Sequence, residues 1–238
     1  MINPLVIDVS HWDPPQDYVE IKANGIAGVI CKATESQTYN DPTYKSQRQR
    51  AIAAGLAWGS YHFADNSDPI GQAKNYLNYA QPKPGELICL DWEDNKAGTM
   101  SPENLKAWTT YVEEQLARPG EVVIYSGNTA KEQLRNADQW FGDRRLWLAQ
   151  YGTNPTTQSS WKTYWLWQYT DGQVGPEPHN IGSWRGDINS YAGSTQQLLA
   201  EWASGKSVPV PIPTPSEQQT VTITITLPLG ATVRVVQT

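Results

Sequence analysis

Phenylalanine, methionine, cysteine and histidine are all scarce in this chain, at 2, 2, 2 and 3 residues of 238. Two cysteines and three scattered histidines offer no ligand spacing for zinc, so neither a metal nor another cofactor is called for. Positive charge is also short: 18 Lys and Arg stand against 24 Asp and Glu, a net charge of −6. That balance supplies no basic footprint for phosphates and argues against a nucleic-acid partner. No apolar run approaches the length needed to span a membrane. Met1–Leu5 carry no basic leader and Asp8 interrupts the first apolar run, so the expectation is synthesis in a cytoplasm without an export signal. Neither a glycine-rich phosphate loop nor a nucleophile elbow is present.

Tryptophan and tyrosine are abundant instead, at 11 and 12 residues. Each joins a flat apolar face to a polar tip, which suits stacking on sugar rings edged by hydroxyls. Filling a core is the plainer use of such residues, but it would draw on phenylalanine as readily.

Short apolar runs alternate with helix signals along the first part of the chain. Strands are expected at 4–9, 27–33, 56–63, 86–92 and 121–126. Between them lie helices at 17–24, closed by Gly25, and from Asp41-Pro42, Asp68-Pro69 and Ser101-Pro102, each a cap followed by proline. Later strands at 145–151, 164–169 and 185–189 are joined by loops, and a last helix covers 195–204. The alternation predicts an α/β fold: a parallel, TIM-like (β/α) barrel with irregular later helices, over residues 1–205. Cys31 and Cys89 fall on opposite faces of that sheet by side-chain parity and are expected free and buried. Residues 206–219 include VPVPIPTP, an extended linker. Residues 220–238 alternate apolar and polar as a short C-terminal β-hairpin tail, which is marginal alone and is expected to pair with copies of itself.

A barrel of this kind keeps its chemistry at the C-terminal ends of the strands. Collected there are Asp8, Lys32, Tyr61, Asp91, Glu93, Tyr125, Gln168 and Asp187, with Trp12, Trp92, Trp165 and Trp167 expected to ring the mouth. Asp91 and Glu93 lie two apart on one strand face, with Cα atoms about 6.5 Å apart. Carboxyls that close do not readily ionise together; one keeps its proton as a general acid while the other stays charged. Cleaving a glycosidic bond needs that division.

The stretches IDVSHWDPP, CKATES, WGSYHFA, LDWED, LWQYTDGQ and RGDINSY resemble, in order, the motifs of family 25 glycoside hydrolases, over about residues 3–200. The resemblance implies a lysozyme-type muramidase of the phage endolysin kind, cleaving the β-1,4 bond between N-acetylmuramic acid and N-acetylglucosamine in bacterial peptidoglycan. By position Glu93 resembles the general acid. Asp91 resembles its partner, which assists the substrate's 2-acetamido group as nucleophile, with retention. Asp8 and Asp187 match the remaining acidic positions, and Tyr61 and Gln168 lie in motifs lining the groove. Trp12, Lys32, Tyr125 and Trp165 complete the candidate substrate contacts. The family's usual glycine after Thr-Glu is Ser36 here. Another barrel glycosidase such as a chitinase, or a non-catalytic wall-binding protein, stays open as an alternative. His11 and His62 are expected to orient neighbouring carboxylates, and Trp108, Trp140 and Trp202 to serve packing.

Overall fold

The computed structural model describes residues 2–204; the linker and hairpin expected at 206–219 and 220–238 lie outside the described residues. The chain runs β1 (Pro4–Val9), α1 (Tyr18–Ala23), β2 (Gly28–Glu35), β3 (Tyr39–Asn40), α2 (Tyr44–Ala53), β4 (Ala57–Phe63), α3 (Pro69–Ala80), β5 (Leu87–Asp91) and α4 (Pro102–Leu116). It continues through β6 (Val123–Ser126), α5 (Asn128–Gln133), α6 (Gln139–Gly142), β7 (Leu146–Ala149), β8 (Leu166–Thr170), β9 (Asn180–Ile181), β10 (Trp184–Arg185), β11 (Asp187–Ser190) and α7 (Thr195–Glu201).

Eight strands close the barrel in the order β1, β2, β4, β5, β6, β7, β8 and β11, with β1 pairing both β2 and β11. Seven of them run parallel. The eighth does not: β11 is antiparallel to both β1 and β8, which corrects the expectation of an all-parallel sheet. A parallel crossover needs a dozen or more residues, usually a helix. Residues 171–186 hold no helix, only turns and the β9–β10 hairpin, so the chain returns into the barrel from the end at which it left.

Two apolar layers follow from the alternation of side chains. Val6, Ile30, Leu87, Cys89, Val123 and Trp147 fill the barrel's inside. Val29, Cys31, Ile88, Leu90, Ile124 and Leu148 face outward into the helical layer, against residues such as Tyr76, Leu105 and Trp108. The two cysteines are therefore free, buried and on opposite sides of the sheet. Trp202 closes the lower end, its Nε1 donating to the Trp58 carbonyl at 2.8 Å. It lies so close to Gly28 that a Cβ there would meet its ring at 2.5 Å.

Helix starts follow the local sequence with one exception. Asp17, Asp68 and Ser101 each cap a helix through the side chain, and proline opens α3 and α4. Asp41 does not cap α2: that helix begins after Thr43, and the buried Asp41 carboxylate instead holds the Thr43 N–H and hydroxyl and the backbone N–H of His11. No helix among the described residues is long and apolar enough to cross a membrane.

Candidate active site

The reversed strand brings Asp187 to the mouth, because β11 enters the barrel there and its first residue pairs with Asp8 of β1. At the mouth a cavity of about 190 Å³ is lined by Asp8, Tyr61, Asp91, Glu93, Tyr125, Trp147, Tyr151, Gln168 and Asp187. They come from seven of the barrel strands or the residues just after them, and strand parity turns them inward together.

Hydrogen bonds hold one side of the cavity. Gln168 donates its amide to both Asp8 oxygens at 3.0 Å, and Asn189 donates to Asp8 Oδ2 at 2.8 Å. The Gln168 Oε1 accepts from the Tyr125 hydroxyl at 2.7 Å and from the Tyr151 hydroxyl at 2.9 Å. Behind them the Trp147 indole N–H donates to Asn189 Oδ1 at 2.6 Å, and its ring meets Tyr125 edge-on with centroids 4.5 Å apart. The other side is barer. Asp91 is buried and its Oδ1 has no hydrogen-bond partner, which is costly unless something else fills the position.

Four carboxyls in a sheltered space cannot all be charged. Burial raises Glu93 to about 7, helped by the charge of Asp94. Burial likewise raises Asp187 to about 7, with Asp13 and Asp171 adding to it. Asp8 is pushed well above the usual carboxylate range by burial and then by Asp187, its amide hydrogen bonds working the other way. Asp91 is raised by burial and by Glu93, while the positive charge of Lys32 opposes the rise. The site can therefore keep a protonated carboxyl beside a charged one near neutral pH, the requirement of general acid catalysis.

Of the ten candidates, Asp8, Tyr61, Asp91, Glu93, Tyr125, Gln168 and Asp187 meet in the cavity. Lys32 stands behind it, buried, with Nζ 2.6 Å from Glu35 Oε2 and 4.9 Å from the centre of the Phe63 ring. Trp12 is 83% exposed on the turn after β1, its ring tilted against His11 with centroids 4.4 Å apart. Asp13, from the same turn, bears electrostatically on Asp8 and Asp187, so the turn borders the site.

Trp165 does not belong to the site. It sits just before β8 with its backbone N–H on the Leu146 carbonyl, at the barrel's lower end. Its indole donates to Glu201 Oε2 at 2.8 Å, and its ring packs on Trp202 and under the Arg145 guanidinium. The expected tryptophan ring is likewise absent: Trp92 and Trp167 are buried in the outer layer, leaving Trp12 alone at the surface. His11 does bind a carboxylate, Asp41. His62 does not: it is buried between Thr34 and Gln72, stacked on Trp108, and burial lowers it to about 4. Ser36 adopts φ 51°, the left-handed conformation that glycine takes without strain, and its hydroxyl binds Asp65.

Trp147 and Tyr151 were missed. A signal for them exists, since alternation along 145–151 puts Trp147, Ala149 and Tyr151 on one face.

Comparison with known proteins agrees with this geometry. The sequence is 29% identical over 211 residues to Lysozyme M1 of Streptomyces globisporus, covering 82% of this chain and 69% of that one. It is 27% identical over 204 residues to the autolytic lysozyme of Clostridium acetobutylicum, covering 84% of this chain but only 56% of that protein's length. The structure superposes on a muramidase from Acremonium alcalophilum with a TM-score of 0.71 and 29% identity, covering 85% of this chain and 99% of that one. Residues 7–177 match the sequence pattern of the Glycosyl hydrolases family 25, a span that includes every cavity residue except Asp187. The chain belongs to that family and is a glycoside hydrolase of the lysozyme and muramidase type.

Proposed function

We propose that the protein cleaves the β-1,4 bond between N-acetylmuramic acid and N-acetylglucosamine in bacterial peptidoglycan, with retention, using the substrate's 2-acetamido group as nucleophile. The observation that carries the reading is the pairing of two unlike carboxyls from one strand end. Glu93 is raised to about 7, and Asp91 has a buried oxygen with no partner in the protein. Glu93, protonated, gives its proton to the glycosidic oxygen as the bond breaks. Asp91, charged, accepts the acetamido N–H at its vacant oxygen and turns the acetamido carbonyl oxygen toward the anomeric carbon. The resulting ring intermediate is opened by water, which gives a proton back to Glu93. Asp8 and Asp187 complete the anionic surround of the oxocarbenium-like centre.

Family membership favours this reading over a chitinase or an inert wall-binding protein. The proposed setting is that of an endolysin, acting on the wall after release from the cell that made it. A net charge of −6 gives no general attraction to an acidic wall, so contacts in and around the groove must supply affinity.

Digestion of purified peptidoglycan with the intact protein and with Glu93→Gln tests the proposal. Mass spectrometry should find new muramic-acid reducing ends in the first digest and at least ~10²-fold fewer in the second. Proton NMR during digestion should show the β-anomer first. Reducing ends on glucosamine, or an α-anomer at first, would overturn the bond or the retention respectively.

A further inference from the structure

One hydrogen-bonded chain crosses the cavity with a fixed direction. An indole N–H can only donate, so the Trp147 contact at 2.6 Å makes Asn189 Oδ1 the acceptor and turns the Asn189 amide N–H groups toward Asp8 Oδ2 and the Val6 carbonyl. Asp8 Oδ2 is thereby an acceptor. Gln168 then faces both Asp8 oxygens with its NH₂ group, at 3.0 Å each, and its Oε1 points away, where it takes the Tyr125 and Tyr151 hydroxyl protons. Both lone pairs of Gln168 Oε1 and an N–H of its amide, shared between the two Asp8 oxygens, are used inside the protein.

We propose that this chain sets the hydrogen-bond polarity of the cavity and that Gln168 is its positioning residue rather than a substrate ligand. With donors on both oxygens, Asp8 is fixed as a hydrogen-bond acceptor at the wall of the site. Tyr125 and Tyr151, having given their protons to Gln168, present only acceptor lone pairs to a ligand. Among the cavity's three tyrosines Tyr61 then supplies the one hydroxyl proton not taken by another of the described residues. Such a lining takes a neutral sugar unit rich in O–H and N–H donors and repels carboxylates, so an acidic substituent of the substrate must project out of the cavity. The sugar's identity rests on the muramidase reading; the polarity does not.

The groups facing Asp8 oppose its charge. Asp187 lies opposite on β11, and Asp13 stands on the following turn. Asp91 and Glu93 share the cavity, and Lys32 is the cation on the β2 side. Tyr61, Tyr125 and Tyr151 are neutral, burial holding each above the ordinary tyrosine value. Against that surplus of negative charge, the amide donors are what favours the ionised Asp8.

The test is a carbon-13 NMR titration of the Asp8 carboxyl in the whole protein, wild type and Gln168→Ala, with kcat and KM on soluble peptidoglycan fragments alongside. Losing the Gln168 amide should raise the Asp8 midpoint by ~1 pH unit. It should lower kcat by ~10-fold or more and change KM by less than about 2-fold. Gln168→Glu keeps the shape and serves if the alanine variant does not fold. Its carboxyl must share a proton with Asp8, so the Asp8 signal should titrate in two steps and kcat should fall as pH rises through the second. An unchanged Asp8 midpoint in either variant, or a loss confined to KM, would overturn the proposal. A wild type inactive on every fragment would sink the muramidase reading instead, and the titration would still decide the polarity.

Discussion

Replacing Glu93 with glutamine should make the protein more stable at pH 8 while removing its activity. In the fold Glu93 has its midpoint at about 7 against an ordinary value of 4.5. The folded state thus binds this proton more tightly than the unfolded chain does. A raised carboxyl of this kind favours folding fully below its unfolded value, and that contribution is lost as pH rises toward and through the folded value. At about 1.4 kcal/mol per pH unit, the gap corresponds to about 3 kcal/mol lost between pH 4 and pH 8. Glutamine cannot ionise and escapes that loss. A neutral side chain at 93 also lets Asp91 and Asp187 charge more readily, Glu93 being one of the charges that raise both, and this relief adds in the same direction. For a domain of this size, 1 kcal/mol moves Tm by roughly 2–4 °C. Relative to wild type, Glu93→Gln should therefore melt at least roughly 6–12 °C higher at pH 8 and nearly level at pH 4. Thermal unfolding followed by circular dichroism at the two pH values reads this directly. A Tm difference that is the same at both pH values, or a variant less stable at pH 8, would refute the claim that a buried carboxyl near neutral midpoint is held at the cost of stability.

Wild-type kcat on soluble peptidoglycan fragments should fall as pH rises through about 7, as Glu93 loses its proton; a plateau from pH 6 to 9 would exclude Glu93 as the acid. Trp12→Ala should raise KM for polymeric wall by roughly 3–10-fold with little change in kcat, the scale of one lost stacking contact on an exposed ring. An unchanged KM would remove Trp12 from the groove. Trp165→Ala should cost roughly 3–5 kcal/mol in urea unfolding, since the ring is buried among Trp202, Tyr191 and Arg145. Its KM should match wild type where enough protein stays folded, and a selective rise in KM would return Trp165 to the site.

Strand parity and strand ends were readable because both depend on local pattern. The apolar run before Asp91 marks a strand, and alternation then puts Asp91 and Cys89 on its inner face and Leu90 on its outer one. The same alternation turns Trp92, next to Asp91, and Trp167, next to Gln168, outward, so the expected tryptophan ring was contrary to parity at both. Trp165 precedes β8 and so marks the barrel's lower end. The capping role expected of Asp41 fails for a different reason: a long-range claim from His11, 30 residues away, competes for the same carboxylate.

The direction of β11 bears on the site most. In a parallel barrel Asp187, the first residue of its strand, would lie at the lower end with Trp202, far from Asp8. Its place in the cavity requires the strand to run backward. Residues 171–186 carry the cause: Gly172, Gly175, Pro176, Pro178, Gly182 and Gly186 forbid a crossover helix within the span. Without that helix the chain cannot return to the lower end, and a strand beginning at the mouth must pair antiparallel with both neighbours. The reversal then sets Asp187 opposite Asp8 in the ladder, two carboxyls side by side. Cross-strand like charges are unfavourable: after burial, the Asp187 charge is what raises Asp8 most, while Asp187 is itself raised by burial, Asp13, Asp171 and Glu93. A loop too rich in glycine and proline to form a helix thus decides which acids share the cavity.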